Sequence, residues 1–326
     1  LNQFNKILIA GKLPLPIGGV RIHVERLVQQ LPDHGFTNYD FFNFEQKPIL
    51  YFFLEILKYR AVHLHTSNTW LQLVISTYCF ILRKVLIITY HGNWGRFSSF
   101  RNLSARISAK LASVPILQNE ESLATVKKIN KNAILISSFI PPVEVKPLTD
   151  AQFAEIHSLK KRFRNIFCTN AWDVTFDSQG REIYGICELI KQMQTFKNAA
   201  LIISDPSGNY QAYARKSEHI SDENVLWLSE PHDFVSVLNY ADAFVRNTTT
   251  DGMSISIQEA LWRQIPVFAS DVVSRAPGCH LYRSVTEVNI EKELEKIQDN
   301  PVAFNNSPDT ACVVEELIQI YGRYLC

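Results

Sequence analysis

Apolar residues fall into two alternating patterns along the first half of the chain. Short continuous runs at 6–10, 38–42, 61–65, 85–89, 114–117 and 133–136 have the length and β-branched content of strands. Between them, apolar residues recur every third or fourth position, as at Val20, Val24, Leu27, Val28 and Leu31, the spacing of one helix face. Runs without polar alternation suit strands covered on both faces, so the alternation predicts a parallel sheet in an α/β domain. Ile140-Pro141-Pro142-Val143 interrupts the pattern, because proline restricts both itself and its predecessor. Strand-like runs resume at 165–169, 200–204, 225–228, 243–245 and 266–269, with helices expected at about 181–194, 231–239, 253–263 and 284–297. The chain is therefore expected to hold two Rossmann-like α/β domains, 1–143 and 144–307, and a helix within 308–326 that returns toward the first. Open parallel sheets take ligands at the carboxyl ends of their strands, so a ligand cleft is expected between the two domains.

A length of 326 residues agrees with two domains, and 11% aromatic content is too much apolar surface for a disordered chain. The formal net charge of +1 argues against a nucleic-acid binder. That total conceals a split. Residues 1–150 hold 17 Lys/Arg against 9 Asp/Glu, and residues 151–326 hold 16 against 23. The +8 and −7 halves meet near the predicted hinge. Either a surface partner on the basic side or chance distribution over solvated helix faces would produce this. The longest apolar stretch, 70–82, is interrupted by Gln72, Ser76 and Thr77 and is too short to span a bilayer. The start, Leu1-Asn2-Gln3-Phe4, has no signal-peptide pattern. The six cysteines show no Cys-x-x-Cys spacing, so neither a zinc site nor a disulfide framework is expected, and a reducing, cytoplasmic compartment fits.

Three segments could carry chemistry. Gly11 to Val20 follows the first strand and opens a helix, and Gly18-Gly19 would let a phosphate approach the helix N-terminus. A flexible loop with a tight turn explains the same residues. Thr89-Tyr90-His91-Gly92 places His91 at the carboxyl end of a strand, where either a ligand contact or a loop-capping role is open. His63 and His65 share one strand face without an identifiable third metal ligand and are read as structural. The third segment runs from Asn247 through Asp251-Gly252-Met253-Ser254 to Glu259-Ala260, then Ile265-Pro266-Val267. It reads as strand, loop, helix and strand, with Asp251 before the helix and Glu259 two turns into it.

That third segment resembles the signature of retaining glycosyltransferases of the GT-B fold, the large family marked by Glu-x7-Glu. Here the stretch is D-G-M-S-I-S-I-Q-E-A-L-W-R-Q-I-P-V-F-A-S-D from Asp251. The Gly-Gly loop, the Thr-x-His-Gly segment and the linker near residue 140 occur in family order, so the resemblance spans nearly the whole chain. It implies a nucleotide-diphosphate sugar as donor, bound mostly by the C-terminal domain. It places Glu259 on the ribose hydroxyls, Asp251 on sugar hydroxyls at the reacting face, and the backbone of Gly252, Met253 and Ser254 at the sugar or diphosphate. Gly18 and Gly19 would approach the diphosphate, and His91 would lie beside the donor sugar. Base recognition is expected from backbone near Leu228-Ser229-Glu230. Carboxylates accept paired hydrogen bonds from vicinal hydroxyls, and N–H groups stabilise the departing phosphate. Neither a cofactor nor a catalytic metal is expected.

The pattern departs from the family in two places. Asp251 stands where Glu is usual. The loop at 170–185 lacks the customary Arg and Lys for the diphosphate, with Tyr184 at the Lys position, which leaves Arg181 and Arg246 as candidate cations. An Asp-Gly signature preceded by Arg is similar to a bacterial polysaccharide-assembly subgroup, such as O-antigen or capsule enzymes, with a lipid-linked or saccharide acceptor at the N-terminal domain. In that domain Phe97, Phe100, Leu103, Ile107 and Leu111 recur at helical spacing among Arg96, Arg101, Arg106 and Lys110. Either an interfacial helix on an anionic membrane or a core-facing helix with a basic outer face would have this pattern.

Overall fold

A computed structural model describes residues 5–13, 18–95, 97–217, 223–299 and 313–325. The chain divides into two compact units, Leu1–Val143 with Thr310–Cys326, and Glu144–Asp309.

In the first unit six strands, β1 (Ile7–Gly11), β2 (Tyr39–Asn43), β3 (Ala61–His65), β4 (Val85–Thr89), β5 (Val114–Leu117) and β6 (Ile134–Leu135), form one sheet. Its order is β2-β1-β3-β4-β5-β6 and every pairing is parallel. Helices α1 (Gly19–Asp33), α2 (Ile49–Ile56), α3 (Thr69–Ile81), α4 (Ser99–Leu111) and α5 (Glu120–Lys127) connect them. Local chemistry sets two of the helix starts. Asn68 caps α3 by accepting from the N–H groups of Trp70 and Leu71, and Asn119 caps α5 by accepting from Ser122 N–H. Leu8, Val62, Leu86 and Ile88 face the layer of α2–α5, whereas Ile7, Ile9, Ala61 and Ile87 face α1 and the last helix, α12 (Val313–Leu325). α12 seats Val313, Leu317 and Tyr321 against Leu27 and Leu31 of α1. Residues 308–312 lie outside the described residues. The Pro-rich segment after β6 is held by α1: buried Arg26 donates to Ile140 O at 3.1 Å, and Gln30 donates to Pro141 O.

The second unit repeats the design with β7 (Asn165–Asn170), β8 (Ala199–Ser204), β9 (Val225–Leu228), β10 (Ala243–Arg246), β11 (Val267–Ser270) and β12 (Cys279–Tyr282). Their order is β12-β11-β10-β7-β8-β9, again all parallel. Helices α6 (Asp150–Arg162), α7 (Ile186–Met193), α8 (Asn209–Ser217), α9 (Phe234–Leu238), α10 (Ile255–Trp262) and α11 (Ile290–Asp299) cover its two faces. Strand β12 was not expected from the sequence, because exposed His280 and Leu281 give it the look of a loop. The helix expected from 181 begins at Ile186, since 176–182 instead closes a small turn through a bridge between Phe176 and Glu182.

Candidate functional site

The chain leaves β10 at Arg246, crosses the loop 247–254 and enters α10, which Ser254 caps by accepting from Ile257 N–H at 3.4 Å. Asp251 lies in that loop at the carboxyl end of the sheet, as strand-loop-helix spacing anticipates. Its surroundings are not legible from spacing. Oδ2 accepts from Arg246 Nε at 2.9 Å and from Arg275 Nη1 at 2.8 Å, while Oδ1 accepts from Arg246 Nη2 at 3.3 Å and from Gly252 N–H at 2.9 Å. The side chains are 11% exposed for Asp251, 10% for Arg246 and 2% for Arg275. Burial opposes ionisation of Asp251, but the guanidiniums of Arg246 and then Arg275 outweigh it and hold the carboxyl below its ordinary range.

Both arginines are anchored a second time. Arg246 Nη1 donates to Asn170 Oδ1 at 3.1 Å and its guanidinium lies 4.9 Å over the Tyr184 ring. Arg275 Nη2 donates to Thr248 Oγ1 at 2.8 Å, and its Nε donates to Ser270 O at 2.9 Å. Two guanidiniums against one carboxylate leave this cluster with a net positive charge. Beside it, Gly252, Met253 and Ser254 line a concavity of about 190 Å³ with Ile257, Gln258 and Arg275. Cationic charge next to the first turn of a helix suits an anion. Glu259 is buried about one turn into α10, which begins at Ile255 rather than near 253.

The 170–185 loop supplies an aromatic ring to this cluster instead of a cation. Tyr184, where the resemblance leads one to expect Lys, packs on Arg246. Arg181 sits in the exposed turn, where its Nε donates to Asp177 Oδ2 at 2.9 Å. Gly185 has φ +57, and a Cβ there would meet Asn247 O at 2.4 Å, so only glycine fits. Asn247 Nδ2 ties the two segments by donating to Gly185 O and to Glu188 Oε2, both at 3.0 Å. Sequence reading missed Arg275; Asn170, Thr248 and Asn247 fell inside the segments it singled out but were given no role there. Arg275 carries no local signal: it lies in the loop after β11, 24 positions from its carboxylate.

In the first unit, Gly18 caps α1 with extended backbone (φ −167) and α1 opens at Gly19; residues 14–17 of that loop lie outside the described residues. His91 follows β4 and borders a concavity of about 330 Å³ with Ser67, Gly92 and Trp94. Its tautomer follows from its neighbours. Gly92 N–H donates to Gln118 Oε1 at 3.3 Å, so the Gln118 amide group faces His91 Nδ1 at 3.1 Å. His91 Nδ1 therefore accepts, and its Nε2–H donates to His65 Nδ1 at 3.3 Å. His23 Nδ1–H donates to Ser138 O at 2.8 Å. His63 Nδ1 meets Tyr321 Oη at 2.6 Å and its Nε2 meets Thr89 Oγ1 at 2.8 Å. The Nε2 atoms of His23 and His65 are buried with no hydrogen-bond partner. Burial dominates the titration of three of these rings: His23 is lowered to about 4, His63 to about 3, and His65 well below its ordinary value. Four imidazoles thus converge, yet among the described residues no three His, Cys, Asp or Glu groups are placed to hold a metal ion.

No protein-family model matches the chain, and no curated protein sequence matches it significantly. Its fold is that of known structures. HepE of Anabaena in complex with UDP-glucose aligns with a TM-score of 0.67 at 13% identity over 98% of this chain and 99% of HepE. WaaG, a glycosyltransferase involved in lipopolysaccharide biosynthesis, gives 0.61 at 13% identity over 97% and 99%. A putative UDP-N-acetylglucosamine 2-epimerase from Listeria monocytogenes gives 0.65 at 14% identity over 98% and 97%. Two α/β units, each built on an all-parallel six-stranded sheet, make this a GT-B-type chain.

Proposed function

We propose that the chain is a retaining glycosyltransferase that moves a sugar from a nucleotide-diphosphate donor to a lipid-linked acceptor in the assembly of a bacterial surface polysaccharide. The observation that carries the reading is the cationic cluster at the entrance to α10. Arg246 and Arg275, held in place by Asp251, take the role of the Arg and Lys that the 170–185 loop lacks. The backbone of Gly252, Met253 and Ser254 meets the diphosphate or sugar, and Glu259 holds the ribose hydroxyls. Gly18-Gly19 contributes backbone to the diphosphate. His91 sits beside the sugar in a fixed tautomer. Asp251 acts chiefly by orienting two guanidiniums that stabilise the leaving diphosphate as its charge grows. The acceptor hydroxyl attacks on the face the diphosphate leaves, and a diphosphate oxygen takes its proton. No protein nucleophile is needed.

Two facts favour a second reading, a nucleotide-sugar-binding relative without transfer activity. Both oxygens of Asp251 and both ring nitrogens of His91 are engaged by protein groups. The likeness to an epimerase structure adds a third possible outcome on the same fold. One experiment separates them: a thermal-shift panel of nucleotide sugars, followed by product analysis of each stabilising ligand with lipid-linked acceptors. Stabilisation with a new glycosidic product supports transfer. Stabilisation without any product supports the binding relative, and an isomerised sugar nucleotide supports the epimerase. If no nucleotide sugar raises the melting temperature, the donor-site assignment fails.

A further inference from the structure

Helices α3 and α4 are inverted relative to helices that cover a sheet in water. α4 buries Ser104, Ala105, Ser108 and Ala109, and turns Phe100, Leu103 and Ile107 outward, with Phe100 77% exposed. α3 buries Thr69, Gln72 and Ser76 beside Ile75 and Cys79. Its Trp70, Val74, Phe80 and Ile81 point out, Ile81 at 70% exposure. α2 buries Phe52 and Ile56 and also exposes Leu50, Tyr51 and Leu54. All three helices lie on the same face of their sheet. Of the nineteen exposed large apolar residues among the described residues, twelve fall between Ile49 and Ile107. Single exposed apolar side chains are ordinary, but a face that concentrates them marks an interaction site.

Charge identifies the partner. Residues 47–111 carry nine Lys/Arg and one Asp/Glu, Glu55, whereas 1–46 and 112–150 each carry four of each sign. The whole +8 of the first 150 residues therefore resides in the segment that holds the apolar face. Arg101, Arg106 and Lys110 are exposed on α4, and Lys58 and Arg83 are exposed at the ends of α2 and α3; Arg96 lies outside the described residues. Among the described residues no helix is long and apolar enough to cross a membrane. We propose that the outer face of α2, α3 and α4 lies on an anionic lipid bilayer, with apolar side chains in the headgroup boundary and the basic groups on lipid phosphates. Tyr51 and Trp70 suit that boundary, with an apolar body and a polar edge. A symmetric pair of these faces would set one +8 segment against another, which disfavours a second copy as occupant. The proposal holds whether or not the chain transfers sugar.

The test is flotation of the full chain with vesicles of phosphatidylcholine alone, or of phosphatidylcholine with phosphatidylglycerol. The chain is expected to float with the anionic vesicles only, and to release as salt rises. The variant Arg101→Gln/Arg106→Gln/Lys110→Gln should lose on the order of 100-fold in partitioning. Phe100→Ser/Leu103→Ser should lose at least about tenfold. Both variants should keep the wild-type circular dichroism and melting temperature, since the altered side chains are exposed. Equal flotation with neutral and anionic vesicles, no flotation, or variants that float like wild type would each overturn the proposal. So would a dimer in light scattering that Phe100→Ser/Leu103→Ser abolishes, which would put a second copy on the face.

Discussion

Replacing Asp251 by Asn tests whether this carboxylate organises the cluster or meets the sugar. Asn keeps the shape and one acceptor oxygen but removes the charge that two buried guanidiniums share. Contacts of 2.8, 2.9 and 3.3 Å join the carboxylate to Arg275 and Arg246. At about 4 Å and an effective dielectric near 20, one such pair is worth roughly 4 kcal/mol gross. The folded protein meets the desolvation cost of the two guanidiniums whether or not residue 251 is charged. Removing one member therefore exposes an uncompensated cost, and broken buried pairs lose about 3–5 kcal/mol. For a unit of this size about 4 kcal/mol corresponds to roughly 8–16 °C in melting temperature. Arg275→Met should cost less, about 2 kcal/mol, because it leaves the neutral Arg246–Asp251 pair intact. In the double variant Asp251→Asn/Arg275→Met, one charge is stranded instead of two, so part of the loss should return. The sign of the pH dependence follows from a lowered folded-state pKa. The stabilisation is fully present above the unfolded value of about 3.9 and is lost as pH falls through the lower folded value. The gap between wild type and Asp251→Asn should thus stay level from pH 8 to about 5 and close only below about pH 4. Thermal unfolding by tryptophan fluorescence across that range is the assay. A melting temperature within about 2 °C of wild type at pH 7, together with lost sugar transfer, would refute the organising role and return Asp251 to the sugar.

Glu259→Ala should weaken binding of nucleotide and nucleotide sugar alike in calorimetry; unchanged affinity would refute the ribose contact proposed for Glu259. Gly185→Ala should lower the melting temperature of the second unit, because φ +57 and an Asn247 O contact at 2.4 Å both exclude a methyl group; an unchanged value would show that the loop shifts at no cost. His23, His63 and His65 are neutral when folded, with pKa values held below 6.5 by burial. Their contribution to stability is complete above about pH 6.5 and erodes below it at up to roughly 1.4 kcal/mol per pH unit for each ring, which denaturant midpoints between pH 7 and 4 would read out. Gln118→Glu places an acceptor against His91 Nδ1, so ¹⁵N spectra should show the protonated position move to Nδ1, whereas a merely structural contact would leave the Nε2–H signature in place.

Much of the architecture was legible because it is written in local pattern. Continuous runs marked eleven of the twelve strands within a few residues, and the break at Pro141-Pro142 fell near the boundary between the units. The strand-loop-helix context of Asp251 and Glu259 was equally local. The ends of helices were less legible where a turn absorbed residues with helical spacing, as before α7. On α4 the apolar spacing was visible but its direction was not. Periodicity says that Phe100, Leu103 and Ile107 share a face, and only the sheet's position shows that the small residues opposite them face inward.

The sequence by itself determined the elements, the parallel α/β class, the linker and the segments with chemical potential, since these rest on residues a few positions apart. Tertiary structure alone decided the partners. Arg275 reaches Asp251 from 24 positions away, Asn170 reaches Arg246 from 76, and Tyr321 reaches His63 from 258. No periodicity encodes such distances, because they follow from where the strands end once both sheets are built. The same holds for charge. Composition located the basic half, but only packing placed its cations around an exposed apolar face, and only packing gave one carboxylate two buried arginines.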